Sequence, residues 1–430
     1  MKIAIVGSGI SGLAAAHALQ GRAELTLFEA GSYFGGHTHT VDVTLPTAQG
    51  PTTWGVDTGF LVFNERTYPN LIRLFGELGI PTAKTDMSFS VQAGTAGRRL
   101  EWNGASLNSV FAQRGNLFNW RFLRMLREVL RFNRLATELA EAGADAQLVQ
   151  PLGVWLDVQG FSTEFREWYF LPMMACIWSC PTAQMLEFPV ATMIRFCHNH
   201  GLVQVNGRPQ WWTVRGGARS YVEKIVARIA DKRLNTPVRR IERDAQGVTV
   251  GTDQGAQRFD QVVLATHSDQ ALALLRQPST DETRVLGAIR YQANRAVLHT
   301  DASVLPRRRL AWAAWNYERA AASDQENSRV CLHYLLNQLQ PLPFEQPVLV
   351  SLNPLREIDP QYVLGSYDYA HPVFDLDAIA AQKALPQLQG RQCTWYTGAW
   401  TGYGFHEDGL KSGLSVAQQL LARLAYREAA

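Results

Sequence analysis

A glycine-rich turn close to the amino terminus constrains the fold of this chain more than any other feature. An apolar run, Lys2–Val6, leads directly into the sequence Gly7-Ser8-Gly9-Ile10-Ser11-Gly12, and a helix-like run follows it. Gly7 permits a tight turn, Gly9 lets the backbone approach a pyrophosphate, and Gly12 lets the helix pack closely on the strand. The free N–H groups of the helix start can bind the phosphate charge. This order of elements predicts a dinucleotide-binding unit.

The residues after this turn supply the second half of the unit. A second apolar run ends on Glu29, whose carboxylate can accept hydrogen bonds from ribose hydroxyl groups. The glycine pair Gly35-Gly36 and the glycine-bounded segment 55–59 then follow. A nicotinamide-dependent dehydrogenase needs no such glycine pair and usually continues into another strand and helix. The sequence therefore favours a different dinucleotide.

Length and composition fit a large globular protein that binds a small molecule. Its 430 residues correspond to about two to three domains. The net charge of +3 gives no general argument for nucleic acid, so we expect no such partner. Five scattered cysteines fit a reducing compartment better than a disulfide framework. Because the first apolar run is already the nucleotide-binding strand and no window is apolar enough to span a membrane, we expect a cytoplasmic protein.

The nucleotide-binding pattern returns further along the chain, which predicts two interleaved domains. Residues 216–222 read as a helix start, and residues 260–264 read as a buried parallel strand that ends in a small-residue turn. We therefore predict an α/β fold in which a Rossmann-type nucleotide-binding domain is interleaved with an α+β substrate domain. The predicted boundaries are 1–67, 211–285 and 390–430 for the first domain, and 68–210 and 286–389 for the second, with a helical portion at 110–200.

The carboxyl-terminal stretch combines a strand, a glycine and a helix. Residues 395–397 read as a strand that delivers Gly398, and a helix follows that we expect to begin near Gly409 and Leu410. The N–H groups of such a helix start can stabilise negative charge on a ligand that lies against them.

Together, these elements resemble the FAD-binding signatures of a flavoprotein family that includes amine oxidases, protoporphyrinogen oxidases and phytoene-type desaturases. Within it, the chain is similar to a bacterial subgroup described as predicted NAD/FAD-binding proteins. The resemblance implies a glutathione-reductase-like FAD domain of the amine oxidase type. It also implies non-covalent FAD, because no attachment motif is recognisable. The implied FAD contacts are Gly7, Gly9, Ser11, Gly12, Glu29, Gly36, His37, Thr38, Gly59, Val238, Gly398, Gly409 and Leu410.

Two positions near the expected cofactor depart from the family pattern. His37 stands where relatives usually carry an arginine that touches the pyrophosphate, so we expect a weaker or pH-sensitive phosphate contact. Ala399 stands where relatives often carry an acid for the ribityl hydroxyl groups.

Catalytic residues are predicted from the same resemblance. The lysine that holds a water near flavin N5 in amine oxidases falls on Arg295 or Asn294, and we assign Arg295. Of the aromatic pair that guides an amine, one position falls on His406 and the other on Tyr367 or Tyr369, of which we assign Tyr367. His406 fits proton exchange near neutral pH, and it fits equally a hydrogen-bonding role behind the site. The absent lysine weakens the expectation of simple amine oxidation.

Two groups of cysteine and histidine residues invite a metal-binding interpretation. They are Cys176 with Cys180, and Cys197 with His198 and His200. The first spacing differs from that of zinc sites and its surroundings are apolar. Buried thiols are the commoner outcome, so we predict no metal.

One helix indicates where a substrate could come from. In residues 119–134 arginines recur every three or four positions and form one stripe, with apolar and aromatic residues around the rest. Such a helix can lie on an anionic membrane surface, or it can cover the substrate domain with a solvated basic face.

We therefore expect an FAD-dependent oxidoreductase that removes hydride from an apolar, lipid-like or fatty-acyl substrate, as a desaturase, dehydrogenase or isomerase. We expect it in the cytoplasm, in peripheral contact with the inner face of the membrane. The alternatives are an amine oxidase that produces peroxide, and a flavin-binding protein without turnover.

Overall fold

A parallel sheet of five strands forms the nucleotide-binding half of the protein. The computed structural model describes residues 1–94, 99–143, 150–204, 207–319 and 329–429. In spatial order the strands are Asp231–Arg233, Glu24–Phe28, Lys2–Val6, Gln261–Leu264 and Thr394–Tyr396. The two central strands are apolar along their length because they are buried on both faces. The strands come from three separate stretches of the chain, which confirms the predicted α/β class.

The glycine-rich turn joins the first strand to the helix Ile10–Leu19, as predicted. Gly7 has a φ of 101°, which other residues rarely adopt, and a Cβ on Gly12 would lie 2.0 Å from the carbonyl oxygen of Gly7. The terminal helix His406–Ala429 packs equally closely on the first helix, because a Cβ on Gly413 would lie 2.1 Å from that helix's backbone. Both ends of the described chain therefore meet beside the turn.

A mixed sheet of seven strands forms the other half. In spatial order its strands are Val363–Val373, Arg290–His299, Leu349–Leu352, Leu332–Leu335, Trp315–Glu318, Phe89–Ala93 and Leu100–Asn103. Smaller sheets pair Thr40–Thr47 with Gly50–Asp57, Trp211–Val214 with Phe63–Asn64 and Thr82–Thr85, and Gly247–Thr252 with Val238–Asp244 and Gly255–Phe259.

Helices cover the sheets and build most of the region between residues 107 and 199. The longer ones are Pro69–Leu78, Trp120–Glu141, Leu171–Trp178, Val190–Asn199, Arg219–Val226, Thr280–Gly287 and Leu376–Ala384. The shorter ones are Leu107–Val110, Leu152–Val158, Thr163–Phe165, Thr182–Met185, Ser268–Leu274 and Leu336–Leu339. A wide helical turn, Arg166–Phe170, joins the short helix Thr163–Phe165 to the helix Leu171–Trp178. None of the described helices is long and apolar enough to cross a membrane.

The predicted domain boundaries are compatible with these elements and stay predictions. Residues 144–149 and residue 430, which fall within the predicted ranges, lie outside the described residues.

Candidate active site

A cavity of about 790 Å³ lies between the two halves of the protein. One end is formed by the glycine-rich turn and the carboxyl ends of the parallel strands, where dinucleotides bind in open α/β sheets. Apolar and aromatic side chains from the seven-stranded sheet and the helical region form the rest of the wall. The volume is within the range of about 300–1,000 Å³ that is typical of ligand sites.

Most of the predicted cofactor contacts line this cavity. They are Gly7, Gly9, Ser11, Glu29, Gly36, His37, Gly59, Val238 and Gly398. The space around Gly9 shows whether a dinucleotide fits, because a Cβ on Gly9 would meet no atom within 4 Å. A Cβ on Gly59, in contrast, would lie 2.2 Å from a backbone oxygen. The turn is therefore packed around an open space at the point where a pyrophosphate must approach. The residues present fit a dinucleotide cofactor.

Glu29 stands at the carboxyl end of its strand and faces the cavity. Its Oε2 accepts hydrogen bonds from the backbone N–H of Ser8 at 3.0 Å and from the Ser8 hydroxyl at 2.5 Å. Its Oε1 accepts a hydrogen bond from the backbone N–H of Gly31 at 2.8 Å. These bonds hold the carboxylate beside the glycine turn, where it can meet a ribose.

Four predicted contacts do not line the cavity. Gly12 packs under the turn, and the Thr38 hydroxyl is hydrogen-bonded to Tyr221 and His406. Gly409 packs against Ile10, since a Cβ there would lie 2.8 Å from the Ile10 side chain, and the Leu410 side chain is buried in the core.

The prediction that the last helix begins near Gly409 was wrong, because the helix begins at His406. The Asp408 carboxylate accepts a hydrogen bond from the backbone N–H of Phe405 at 3.1 Å, which closes the first turn earlier than expected. The N–H of Gly409 is already bonded to the carbonyl oxygen of Phe405. The free N–H groups of this helix therefore precede the predicted pair of residues.

His406 lines the cavity at this helix start. Its Nε2 lies 3.0 Å from the Thr38 hydroxyl and 2.9 Å from the Tyr221 hydroxyl, and its ring stacks on Phe60 with 3.9 Å between centroids. Burial, with the charge of His37, lowers the pKa of His406 to about 3. The imidazole is therefore uncharged and fixed in orientation at neutral pH.

Arg295 and Tyr367 lie away from the cavity wall, contrary to the roles assigned to them. The Arg295 side chain is exposed and donates to the Ser366 hydroxyl at 3.0 Å, because side chains alternate along the strand and the neighbouring Asn294 points inward. Tyr367 packs edge-on against His39 with 4.6 Å between ring centroids. His371, four residues after Tyr367 on the same face of its strand, lies in the cavity wall.

Three histidines stand together on the cavity wall. His37 lies 5.3 Å from His371 and 6.4 Å from His267, measured between ring centroids. Burial, with the charge of His267, lowers the pKa of His37 to about 4. Burial also lowers the pKa of His371 to about 3 and lowers that of His267. The Nε2 of His37 is buried and has no hydrogen-bond partner among the described residues. The cluster therefore offers neutral donors and acceptors rather than a fixed positive charge.

Sequence reasoning missed His267 and His371. His267 follows directly after the parallel strand Gln261–Leu264 and its small-residue turn, so its place at the carboxyl edge of the sheet was a usable signal. His371 could be found only from the register of the strand Val363–Val373, because the alternation had to be anchored to a known inward-facing residue.

The cysteines raised as metal ligands are buried among apolar groups. The Sγ of Cys180 lies 3.0 Å from the Met185 sulfur, and burial raises the pKa of Cys180 well above its ordinary value. Elsewhere Glu318, Cys331 and His333 lie close enough to share an ion, with ligand atoms within 4.8 Å of one another. Glu318 is paired with His333 at 3.1 Å and with Arg99 at 2.9 Å. Hydrogen bonds account for this group.

Comparison with known proteins decides the family. The profile described as flavin containing amine oxidoreductase matches residues 10–307. The chain belongs to this family. A Mycobacterium tuberculosis member named "Putative flavin-containing monoamine oxidase AofH" is 27% identical over 291 residues, which are 64% of this chain and 59% of the relative. The match thus spans less than two thirds of that relative's length.

Solved structures of flavin-containing amine oxidoreductase type share the fold. Cyclohexylamine oxidase from Brevibacterium oxydans IH-35A superposes with a TM-score of 0.69 at 18% identity and covers 99% of each chain. A fatty acid isomerase from P. acnes, described as producing CLA, superposes with a TM-score of 0.66 at 16% identity and covers 97% of this chain and 98% of its own. At these identities the likeness establishes the fold alone.

Family membership makes this protein an FAD-dependent oxidoreductase. Bound FAD supplies a ring that accepts hydride, and the protein must position the substrate and exclude water. The residues that would hold FAD are those of the glycine turn, Glu29 and the Gly398 segment, which lie around one end of the cavity.

Proposed function

We propose that the protein removes hydride from an apolar, lipid-like or fatty-acyl substrate and yields a desaturated or isomerised product. One observation carries this proposal: the cavity wall outside the dinucleotide end is mostly apolar. The lining side chains there are Met87, Phe89, Trp102, Met173, Ile177, Phe196, Leu202, Trp211, Trp315 and Phe405. Among the described residues that line the cavity, Glu29 is the single one with a carboxylate, and it belongs to the dinucleotide end.

The chemistry of this wall favours an alkyl chain over an ammonium group. Each buried CH₂ contributes about 0.8 kcal/mol to binding. An ammonium ion would lose its hydration without gaining a carboxylate partner outside the dinucleotide end, which costs free energy. His406 is held in the wall by Thr38 and Tyr221, and burial keeps its ring uncharged at neutral pH. A pKa of about 3 makes it a weak proton acceptor, so we assign His406 to orienting the substrate rather than to taking a proton from it.

A second candidate is an amine oxidase that releases peroxide. The similarity to proteins named as a monoamine oxidase and a cyclohexylamine oxidase favours it. The inward position expected for a lysine holds Asn294 here, which argues against it.

Anaerobic flavin reduction distinguishes these candidates. The FAD-loaded protein is mixed without oxygen with oleate, with a phospholipid carrying the same chain, or with primary amines, and the flavin absorbance is followed. We expect bleaching by at least one acyl compound and by none of the amines. Bleaching by amines alone, with peroxide on admission of air, would establish amine oxidation. Isomerisation returns the hydride and leaves the flavin oxidised, so the recovered acyl compound is also analysed for isomers. No bleaching by any compound, together with no isomer, would support a flavin-binding protein without turnover.

We further propose that the protein works at the inner face of the cytoplasmic membrane. Three apolar side chains in or just before the helix Trp120–Glu141 are exposed: Phe118 by 90%, Trp120 by 67% and Leu130 by 59%. Arg127 and Arg134 are exposed on the same helix face, so the apolar and basic groups are mixed there rather than segregated. Residues 107–134 contain six arginines and one acid, Glu128, which is buried.

Co-sedimentation with lipid vesicles tests this localisation. We expect binding to vesicles containing phosphatidylglycerol and little binding to pure phosphatidylcholine, because the basic groups need anionic lipid. The double variant Phe118→Ser with Trp120→Ser should bind less while keeping its FAD. Equal sedimentation of the variant and the parent protein would contradict the proposal.

A further inference from the structure

The wall on the helical side of the cavity is mostly apolar but includes the polar side chains of Tyr169, Ser179, His200 and Arg208. Tyr169 comes from the wide turn Arg166–Phe170, and Arg208 comes from the loop before the strand Trp211–Val214. Both line the cavity, and neither is hydrogen-bonded to the glycine turn or to Glu29. The FAD contacts therefore leave both groups unused.

Tyr169 presents its hydroxyl to the cavity. The side chain is 9% exposed, and its ring packs on Trp102 and Phe165. The hydroxyl has no hydrogen-bond partner among the described residues, although a buried hydroxyl normally has one. Because the side chain also lines the cavity, a ligand there is the partner that this donor lacks.

Arg208, whose side chain is exposed, brings a positive charge to the edge of the same cavity. Its Nε donates to the carbonyl oxygen of Gln204 at 2.9 Å, which fixes the plane of the guanidinium. Its two terminal nitrogens have no partner in the part of the chain that the structure describes. Burial raises the pKa of the Tyr169 hydroxyl, and the positive charge of Arg208 lowers it. The charge of Arg208 therefore acts on Tyr169 across the cavity wall that both residues line. An arginine fork with free N–H groups matches the two oxygens of a carboxylate or phosphate.

His200 lines the cavity beside Tyr169 and Arg208, and its Nδ1 donates to the carbonyl oxygen of Phe196 at 3.1 Å. Because burial keeps this ring uncharged, its Nε2 is an acceptor, so His200 itself offers an anion no donor. Arg66 is a second positive charge near this wall, and its charge helps to lower the pKa of His200. The nearby Glu65 accepts a hydrogen bond from the Trp212 indole at 3.0 Å and does not line the cavity.

We propose that Arg208 and Tyr169 form a subsite for the anionic end of an amphipathic acyl ligand, whose apolar chain lies along the aromatic wall. The shared chemistry is an oxyanion, either the carboxylate of a free fatty acid or the phosphate of a lysophospholipid. This subsite rests on the proposed function for the nature of the chain, but its own evidence is the unpaired hydroxyl and the free guanidinium.

Binding to the FAD-loaded protein, followed by tryptophan fluorescence, tests the subsite without relying on turnover. The probes are oleate, methyl oleate, lysophosphatidylglycerol and oleylamine. We expect Arg208→Gln to weaken the binding of oleate about tenfold or more and to change the affinity for methyl oleate by no more than about twofold. The same variant should bind oleylamine more tightly. Tyr169→Phe should reduce the affinity for oleate by less than Arg208→Gln does. Arg208→Lys should keep part of the affinity that Arg208→Gln loses. Arg22→Gln, an exposed arginine that does not line the cavity, is the matched control.

Each outcome has a definite meaning. If lysophosphatidylglycerol, rather than oleate, loses affinity in Arg208→Gln, the oxyanion is a phosphate. Equal losses for oleate and methyl oleate, or no loss for any anionic probe, would overturn the subsite. Arginine-dependent binding of oleate without flavin bleaching and without isomer formation would keep the subsite and refute the proposed reaction. If oleate bleaches the flavin, and Arg208→Gln changes neither the rate of bleaching nor the affinity for oleate, the proposed reaction stands and the subsite is refuted.

Discussion

Asn294 donates a hydrogen bond from its amide nitrogen to Nδ1 of His371 at 2.9 Å. The orientation of this amide follows from a chain of bonds that starts at a backbone N–H. The N–H of Arg295 donates to Oδ1 of Asn353, so the Asn353 nitrogen must donate to Oδ1 of Asn294 at 2.7 Å. The Asn294 nitrogen is left to face His371 and the carbonyl oxygen of Ser179. Nδ1 of His371 therefore accepts, and its proton is on Nε2.

Replacing Asn294 by alanine should both destabilise the protein and disturb the active site. The change removes one of the two buried acceptors of the Asn353 amide nitrogen, which keeps the carbonyl oxygen of Val330, and this loss costs about 1–3 kcal/mol. It also frees His371 to change tautomer, so flavin reduction by the substrate should slow while FAD stays bound. Urea unfolding and anaerobic flavin reduction measure the two effects.

Arg295→Ala is the matched control, since it alters the next residue of the same strand. Its exposed side chain bonds to the Ser366 hydroxyl, so stability and flavin reduction should both stay close to those of the parent protein. A large loss of flavin reduction in Arg295→Ala, with Asn294→Ala unaffected, would restore the assignment made from the sequence.

Replacing Gly9 by valine should abolish FAD retention without unfolding the protein. A Cβ at this position meets no protein atom within 4 Å, so we expect the valine side chain to occupy the space that the cofactor needs. The absorbance spectrum and the FAD content of the purified variant measure retention. Gly76→Ala, an exposed helical glycine with equally open surroundings, should keep FAD. Normal FAD content in Gly9→Val would show that the pyrophosphate binds elsewhere.

Stability should fall as the pH is lowered from neutral. Burial lowers the pKa of five histidines from 6.5 to between about 3 and about 4: His37, His200, His299, His371 and His406. Below pH 6.5 the unfolded chain binds these protons and the folded protein does not, so their contribution to stability is lost with falling pH. Asp57 and Asp408, whose pKa values burial raises to about 7 and about 6, act in the opposite direction but are fewer.

The variant His406→Phe tests this balance. Removing one such histidine should reduce the loss of unfolding free energy between about pH 7 and about pH 5 by about 2 kcal/mol. Urea unfolding at the two pH values gives the difference. A pH dependence as steep as that of the parent protein would mean that His406 is protonated in the folded state.

Replacing Glu282 by glutamine should be the most destabilising of these changes. The Glu282 carboxylate accepts hydrogen bonds from Arg243 and from the Tyr396 hydroxyl. The side chain of Glu282 is 5% exposed and that of Arg243 is 3% exposed. Burial opposes ionisation, yet the bonds from Arg243 and Tyr396 hold the pKa of Glu282 at about 2. The variant leaves a buried guanidinium without a counter-charge, which costs about 3–5 kcal/mol.

Urea unfolding of Glu282→Gln at neutral pH measures this cost. Asp253→Asn, which breaks the exposed pair of Arg239 and Asp253, should leave stability unchanged and serves as the control. Equal small effects in the two variants would mean that the Arg243 charge is compensated by water.

The nucleotide-binding elements were predictable because each is a local pattern. The glycines of the turn 7–12 are required by backbone geometry and close approach, which the order of residues records directly. Glu29 follows from the same unit because it ends the adjacent strand. The start of the terminal helix at His406 was missed, since it depends on whether the Asp408 side chain reaches back to cap the turn.

The catalytic side of the cavity was predicted less well, because its residues come from distant strands. Arg295 and Asn294 are neighbours in the sequence, and only the burial of one face decides which of them points inward. Tyr367 and His371 differ by an even number of residues and share a face, so alternation alone could not select between them. The packing of His371 on His37, with 5.3 Å between ring centroids, made that choice.

Glycine positions and apolar runs were sufficient to establish the dinucleotide-binding unit, its FAD family and the α/β class, because these features need no knowledge of distant contacts. The choice of side chains that form the cavity wall came from the folded chain instead. Pairing of Arg290–His299 with Val363–Val373 brings Asn294 to His371, and folding of the helical region brings Tyr169 beside Arg208. Such neighbours are set by strand register and helix packing, which are properties of the whole tertiary structure.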